Sequence, residues 1–181
     1  FNNDGALYLF PVAKSTEIMM INKTDWELFA EATGSTLDEL KTIEGVVSVA
    51  ERYYDWTDSL TPDVPNDGKA FYGRDSMANY FVIAMKQMGK EIFEVKDGDV
   101  TINTDKELIK RIWDNYYVPY IEGYFAAYGK FRSDDVKTKD ILAYTGSASS
   151  ALYFPDAIES NNESYPIDFI IEEPPVMDGG D

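Results

Sequence analysis

The chain has 181 residues, of which 44% are hydrophobic, and it carries a formal net charge of -17. This length and apolar content allow one domain with its own core and exclude a disordered chain. Because histidine and cysteine are absent, thiol nucleophiles, Ser-His-Asp triads and zinc sites built on those side chains are excluded. The 33 acidic residues against 16 basic ones argue against binding to nucleic acid or to anionic membrane surfaces.

The sequence leaves the compartment open, because a chain without cysteine suits both a reducing cytosol and export. No segment is long or apolar enough to span a membrane, and no signal peptide precedes Phe1. Both ends of the sequence are abrupt. We therefore expect a part of a longer protein.

The first elements are two strands and a helix. Apolar runs at residues 6–10 and 18–21, split by a proline and polar residues, are typical of strands joined by a loop. A capping box that starts at Thr24 opens a helix, and Gly34 ends it.

A second capping box starts at Thr36. Apolar residues at three- and four-residue spacing then predict a helix over residues 43–60, with Trp56 on its core face. Two prolines and an Asp-Gly pair make residues 61–69 a loop.

The middle of the chain predicts a helix and a hairpin. Asp75 or Ser76 caps the helix, and Gly89 ends it. The pair Asp97-Gly98 lies between two short apolar runs, which is a strong signal for a tight hairpin turn.

A third capping box, at Thr104, opens a long helix that we expect to break near Pro119 and Gly123. The polar residues 129–139 predict a surface loop or a short turn of helix. The run 167–171 predicts the last strand.

The stretch from Asp140 to Ser150 is the main candidate for a binding site in the chain. It predicts a buried strand that stops at Gly146, followed by a helix start rich in hydroxyls from Ser147, Ser149 and Ser150. Ligands bind at the carboxyl edge of α/β sheets, although Thr-Gly-Ser is also ordinary turn chemistry.

Strands and helices alternate along the chain, which predicts a mixed α/β domain. We expect the strands at Leu7, Ile18, Ile141 and Ile167 to share one sheet.

In their order, these segments resemble the extracellular solute-binding proteins of ATP-driven importers, and in particular the sugar-binding members. The resemblance covers almost the whole chain, and each of its motifs is weak alone. They are the Gly-aromatic-Pro run of residues 5–12, the strand end at Asn22-Lys23, the pattern of Thr36, Asp38, Glu39 and Leu40, the Asp-Gly hairpin, the helical segment 103–123, the segment 142–150 and the closing run 170–175.

The resemblance implies one α/β lobe of a periplasmic-binding-protein-like type II fold, with a mixed sheet flanked by helices. Residues 1–181 would be the second lobe, bounded by hinge-crossing strands near residues 7–11 and 170–175, and the first lobe would be missing. The implied hinge residues are Phe10, Pro11, Glu173 and Pro174.

The resemblance also implies a ligand site between the lobes, with no catalytic residue, cofactor or metal. Aromatic faces stack on the C–H surfaces of a sugar, and charged side chains bond its hydroxyls. The implied ligand-binding residues are Phe71, Tyr72, Gly73, Arg74, Asp75, Tyr144, Gly146, Ser147 and Ser149. Ala148 stands where sugar-binding members often carry a tryptophan, which leaves another small solute open.

The implied function is the capture of an extracellular solute, a sugar or oligosaccharide, for the permease subunits of an ABC transporter. The implied place is the cell surface, with a lipid anchor in the missing amino-terminal part. Two alternatives from other classes stay open. One is a free-standing carbohydrate-binding or adhesin module with exposed Tyr and Trp, and the other is a glycoside hydrolase fragment with paired carboxylates.

Overall fold

The computed structural model describes residues 12, 14–102, 105–160 and 163–180. In chain order, the strands that these residues form are β1 (Glu17–Asn22), β2 (Tyr72–Arg74), β3 (Phe93–Lys96), β4 (Asp99–Ile102), β5 (Ala143–Ser147), β6 (Ala157–Glu159), β7 (Ser164–Pro166) and β8 (Phe169–Glu172). The helices are α1 (Lys23–Thr33), α2 (Ile43–Ser59), α3 (Met77–Gln87), α4 (Lys106–Ile121) and α5 (Arg132–Lys137), with 3-10 helices at Leu37–Lys41 and Ala148–Tyr153.

Four strands form a central mixed sheet in the order β2-β5-β1-β8. β1 is antiparallel to both β5 and β8, whereas β2 is parallel to β5. β2, β5 and β8 therefore end at one edge of the sheet, where β1 begins, and we call this the carboxyl edge. Glu17 pairs with Ser147 there, and Arg74 pairs with Thr145.

Both faces of the sheet are covered, because the side chains of a strand alternate between its two faces. In β1, Met19 belongs to a large core with α1 to α4, whereas its neighbour Met20 belongs to a smaller core with α5 and the segment after β5. The large core is aromatic: Phe29 packs with ring centroids 5.3 Å from Tyr53 and 5.6 Å from Trp56. Trp56 thus packs against the core, as the helical spacing predicts.

Three predicted strands are confirmed in one sheet, since Ile18 lies in β1 and the strands expected at Ile141 and Ile167 are β5 and β8. The last two begin two residues later than predicted. The strand expected at Leu7 lies outside the described residues. The predicted turn at Gly146 is wrong, because β5 continues to Ser147 through its pairing with β1.

The caps of α1 and α3 use neighbouring polar side chains. Asn22, rather than the predicted Thr24, caps α1 and accepts a hydrogen bond from the N–H of Asp25. Thr24 instead accepts a hydrogen bond from the N–H of Asp168, next to β8. Of the two predicted caps of α3, Ser76 fills the position.

The hairpin of β3 and β4 turns at Asp97-Gly98, as predicted, and both residues have positive φ, 53° and 89°. α4 passes Pro119 and ends at Ile121, between Pro119 and Gly123, where the sequence predicts its break. The proline lies in the last turn, where its missing N–H and its ring disturb little of the helix that follows. No helix among the described residues is long and apolar enough to cross a membrane.

Residues after β8 stay bound to this domain. The carbonyl of Val176 accepts a hydrogen bond from the N–H of Ile43 at 2.8 Å, and Met177 is buried in the large core. Residues beyond Glu173 and Pro174 thus still contact this domain, and the hinge that the resemblance implies there stays a prediction. The other implied hinge residues, Phe10 and Pro11, lie outside the described residues.

Candidate ligand-binding site

A cleft of about 480 Å³ opens beside the carboxyl edge, a volume within the roughly 300–1,000 Å³ of small-molecule pockets. Three separate segments form it: the residue after β2, the start of α5 and the 3-10 helix after β5. The lining residues are Asp75, Phe131, Ser133, Asp134, Ser149, Ser150 and Tyr153.

Asp75 connects its own segment to β5 and to the start of α5. Its backbone N–H donates to the carbonyl of Thr145 in β5 at 3.1 Å, and its Oδ1 accepts from the N–H of Arg132 in α5 at 3.0 Å. Its Oδ2 has no hydrogen-bond partner among the described residues. A carboxylate held by one oxygen leaves the other oxygen for a ligand hydroxyl.

Gly146 makes room for this carboxylate. A Cβ at Gly146 would lie 2.5 Å from Oδ2 of Asp75 and 3.2 Å from Oγ of Ser150. Gly73 likewise faces the carbonyl oxygen of Ala126, which a Cβ would approach to 2.6 Å. Both glycines therefore allow close packing within the domain, whereas the resemblance implies that they contact the ligand.

A row of hydroxyls follows β5. The Oγ of Ser147 lies 2.9 Å from Oγ of Ser15 and 3.0 Å from Oγ of Ser149. Ser149 is exposed in the cleft, whereas Ser147 connects it to the segment before β1. Ser149 is thus the predicted hydroxyl with the freest access to a ligand.

Two exposed aromatic rings line the cleft, Phe131 with 54% and Tyr153 with 74% of its surface accessible. The three-residue period of the 3-10 helix places Tyr153 on the same side as Ser150. Sequence reasoning missed both rings, since Tyr153 stands in an apolar run and Phe131 in a polar loop. The available signals were an aromatic residue in an otherwise polar segment and the spacing from Ser150 to Tyr153.

Tyr144 lies beneath the cleft. Its side chain is fully buried, its ring is 6.0 Å from that of Phe154 and nearly parallel to it, and its hydroxyl has no hydrogen-bond partner among the described residues. Its Cε2, next to the carbon that bears the hydroxyl, would lie 3.3 Å from a Cβ at Gly146. Burial, and then the negative charge of Asp75, raises the pKa of Tyr144 above its usual value.

Phe71 and Tyr72, two of the implied ligand residues, lie in the large core with no exposed surface. The hydroxyl of Tyr72 bonds the Oγ1 of Thr145 at 2.6 Å. Neither side chain therefore presents a surface to a ligand.

Arg74 is likewise turned inward. It forms an ion pair with Glu17, and its guanidinium lies 5.2 Å from the ring centre of Tyr80. The side chains of Arg74 and Glu17 are only 3% and 8% exposed, and Asn79 donates to the second oxygen of Glu17 at 2.9 Å. Arg74 thus holds β1 and β2 together and does not face the cleft.

The structure therefore brings Asp75 and Ser149 together in one cleft, with Tyr144, Gly146 and Ser147 directly around them. It places the other predicted ligand residues, at positions 71–74, inside the domain. Among the described residues, no group of three or more acidic side chains is arranged to hold a metal ion.

Comparisons with known proteins identify the family and the fold. The family model of the bacterial extracellular solute-binding proteins matches residues 1–180. Comparison with curated proteins gives no significant match.

Two solved structures share the fold. One is the galacto-N-biose/lacto-N-biose I-binding protein of an ABC transporter from Bifidobacterium longum in complex with lacto-N-biose, with a TM-score of 0.60 and 13% identity over 84% of this chain and 35% of that one. The other is a family 1 extracellular solute-binding protein from Alicyclobacillus acidocaldarius, with a TM-score of 0.66 and 14% identity over 99% of this chain and 41% of that one.

The chain thus spans well under half the length of these two proteins. At such low identity the likeness shows the fold alone, and it confirms the predicted α/β class of periplasmic-binding-protein-like type with a mixed sheet flanked by helices. The family match covers nearly every residue. The chain belongs to the bacterial extracellular solute-binding proteins.

Proposed function

We propose that this chain forms the second lobe of a two-lobe protein that encloses an extracellular sugar or oligosaccharide and presents it to the permease subunits of an ABC transporter. Membership of the family supports the coarser part, the capture of a solute outside the cell. The observation that carries the finer part is the meeting of exposed aromatic rings, a half-free carboxylate and hydroxyls in one cleft.

This combination suits a polyol. The faces of Phe131 and Tyr153 cover the C–H surface of a sugar ring, while Oδ2 of Asp75 accepts a charge-assisted hydrogen bond from a hydroxyl. The solved relative from Bifidobacterium longum is in complex with the disaccharide lacto-N-biose. A sugar is therefore the ligand class that we assign to this cleft.

The course of the chain supports the role of a lobe. β1 begins at the carboxyl edge, where β8 ends, and the cleft opens beside that same edge. In our proposal the first lobe closes on this edge and supplies the opposite wall of the site. The hinge and a lipid anchor outside the described residues stay predictions.

The test is isothermal titration of the full-length protein with a panel of mono- and disaccharides. We expect Tyr153→Ala to weaken binding by about tenfold, because a stacked aromatic contributes about 0.5–1.5 kcal/mol beyond its buried area. Tyr117→Ala, an exposed tyrosine on α4, is the matched control. Equal affinities of the wild-type protein and Tyr153→Ala for every saccharide that binds would remove the cleft from the proposal.

One observation favours the alternative of a free-standing carbohydrate-binding module. Trp113 and Tyr117 on α4 are half-exposed, stack with centroids 5.2 Å apart, and line an apolar groove of about 240 Å³ with Phe81 of α3. The variants Tyr153→Ala and Tyr117→Ala distinguish the lobe of a transport protein from the free-standing module. Loss of binding in Tyr117→Ala with none in Tyr153→Ala would favour the module.

The members of this family are solute-binding proteins, which supports a binding role without catalysis. We expect a saccharide that binds to be recovered intact after prolonged incubation with the protein. If the protein hydrolyses a saccharide and Asp75→Asn abolishes this activity, the result would support the glycoside hydrolase alternative.

A further inference from the structure

The carboxylates of the cleft each have one oxygen fixed and one open. Oδ2 of Asp134 accepts from the N–H of Phe131 at 3.2 Å, just as Oδ1 of Asp75 accepts from the N–H of Arg132. Both residues are exposed in the cleft. Their other oxygens have no hydrogen-bond partner among the described residues, so each presents negative charge to whatever occupies the cleft.

The basic side chains near these carboxylates are bound elsewhere. Arg74 pairs with Glu17, and Arg132 pairs with Asp135. Lys137 pairs with Glu159 at 2.8 Å and acts on Asp134 only at longer range. None of these three cations forms an ion pair with Asp75 or Asp134.

Lys130 shows how a cation is held at this cleft. Its ammonium lies 5.2 Å from the ring centre of Phe131, one of the lining residues. Attraction between a cation and an aromatic face acts at this distance. The exposed ring of Tyr153 offers the same kind of face to an ammonium group of a ligand.

A buried polar group also remains for the ligand. The hydroxyl of Tyr144 has no exposed surface and no partner among the described residues. The ring edge next to it approaches the same point at Gly146 as the carboxylate of Asp75. Buried polar groups are rarely left without a hydrogen bond. The domain thus leaves one buried hydrogen bond unmade next to the cleft.

We propose that the ligand of this cleft is an amino sugar, whose protonated amine lies between Asp75 and Asp134 while its ring stacks on Tyr153. This inference rests on the proposed sugar-binding function and names the substrate class. The net charge of -17 acts in the same direction, because a strongly acidic surface draws cations toward it and repels anions. The site discriminates most strongly against acidic sugars such as uronic acids.

The experiment compares saccharides that differ only in the charge of one substituent. The full-length protein is titrated with glucosamine against glucose, galactosamine against galactose, and the β-1,4-linked disaccharide of glucosamine against its N-acetylated and hydroxyl counterparts. Galacturonic acid represents the anions. A mildly acidic buffer keeps the amines protonated, and a second series at high salt tests whether the preference is electrostatic.

We expect at least one amine to bind about tenfold more tightly than its neutral counterpart, which corresponds to about 1.4 kcal/mol. Asp75→Asn and Asp134→Asn keep the shape and the backbone hydrogen bonds, and each should reduce this preference severalfold. Asp63→Asn, an exposed aspartate in the loop of residues 61–69, is the matched control and should leave it unchanged. Melting temperatures verify that all variants are folded.

Two results would overturn the inference alone: neutral sugars or uronic acids that bind as tightly as the amines, or an amine preference that survives both substitutions. In these cases binding that still depends on Tyr153 would leave the proposed function standing. If no saccharide of any charge binds, the proposed function fails together with the inference.

Discussion

The role of Arg74 is the point on which the structure and the resemblance differ most clearly. The resemblance implies that Arg74 binds the ligand, whereas the structure buries it in an ion pair. Its ion pair with Glu17 is nearly inaccessible to solvent, with side-chain exposures of 3% and 8%. Removing one partner of a buried pair costs about 3–5 kcal/mol, because the other charge stays buried without compensation. The Nε of Arg74 has no partner in the described residues, so its removal also relieves an unsatisfied donor, and we place the cost of Arg74→Met near 3 kcal/mol.

In a domain of this size each kcal/mol lowers the melting temperature by roughly 2–4 °C, so Arg74→Met should lower it by roughly 6–12 °C. Glu17→Gln in the same chain keeps the hydrogen bond from Asn79 and removes the uncompensated charge. We therefore expect the double variant to lose less stability than the two single variants combined, by roughly 2–3 kcal/mol. The assay is urea unfolding followed by circular dichroism, for the wild type, both single variants and the double variant.

Ligand affinity completes the test. Below its melting temperature, full-length protein with Arg74→Met should bind its solute within about threefold of the wild type, since Arg74 does not face the cleft. Additive stability losses in the double variant would refute the ion pair. A small change in melting temperature together with a large loss of affinity would show that Arg74 contacts the ligand, as the resemblance implies.

Three further predictions concern the site and its surroundings. Gly146→Ala should cost about 1–3 kcal/mol of stability by overpacking and should weaken binding, because its methyl group displaces the carboxylate of Asp75; unchanged affinity by calorimetry would contradict this. Tyr144→Phe should change stability by under about 0.5 kcal/mol, since the hydroxyl has no partner to lose, yet it should lower affinity; a loss of stability without a loss of affinity would show a partner inside the domain. Burial raises the pKa of Tyr165 to about 12, with the hydrogen bond to Asp25 adding to it and Lys139 opposing it. Because the unfolded chain loses this proton first, the stability advantage over Tyr165→Phe should be complete below about pH 10 and shrink toward pH 12, and an advantage that grows over this range would refute the assignment.

Features that depend on a few adjacent residues were predictable from the sequence. Gly34 ends α1 with φ of 75°, and Asp97 and Gly98 form the hairpin turn with positive φ at both positions. Such conformations are favourable for these residue types in any tertiary context. The α/β class was predictable as well, because the hydrophobic pattern of each strand and helix is local and the two types alternate along the chain.

Features that depend on distant residues were not predictable in this way. Thr24 and Asn22 are both good helix caps by type, and the choice fell to Asn22 because Thr24 bonds the backbone of Asp168 across the sheet. Gly146 has the composition of a turn, yet pairing with β1 extends the strand past it. Tertiary contacts overrode the local signal in both cases.

The site shows the same division. Asp75, Tyr72 and Arg74 were all assigned through the resemblance, and Ser149 also through the strand and hydroxyl pattern around Gly146. The structure places Asp75 and Ser149 after strands that end at the carboxyl edge, where a cleft opens. It buries Tyr72 and Arg74, and burial decides whether a side chain can meet a ligand. Tyr153 escaped notice because the sequence does not show that its short apolar run forms a 3-10 helix with one exposed side.

The cleft owes its shape to hydrogen bonds that lie wholly within this chain. The N–H of Asp75 donates to the carbonyl of Thr145, and its Oδ1 accepts from the N–H of Arg132, so β5 fixes the backbone of Asp75 and α5 fixes its carboxylate. A wall that is already ordered loses little conformational freedom when a ligand arrives, and this raises affinity without any added contact. In our proposal, the contribution of this domain to binding therefore comes chiefly from a preformed arrangement of one carboxylate, two aromatic rings and a few hydroxyls, and the specificity for a solute follows from the charge of that arrangement.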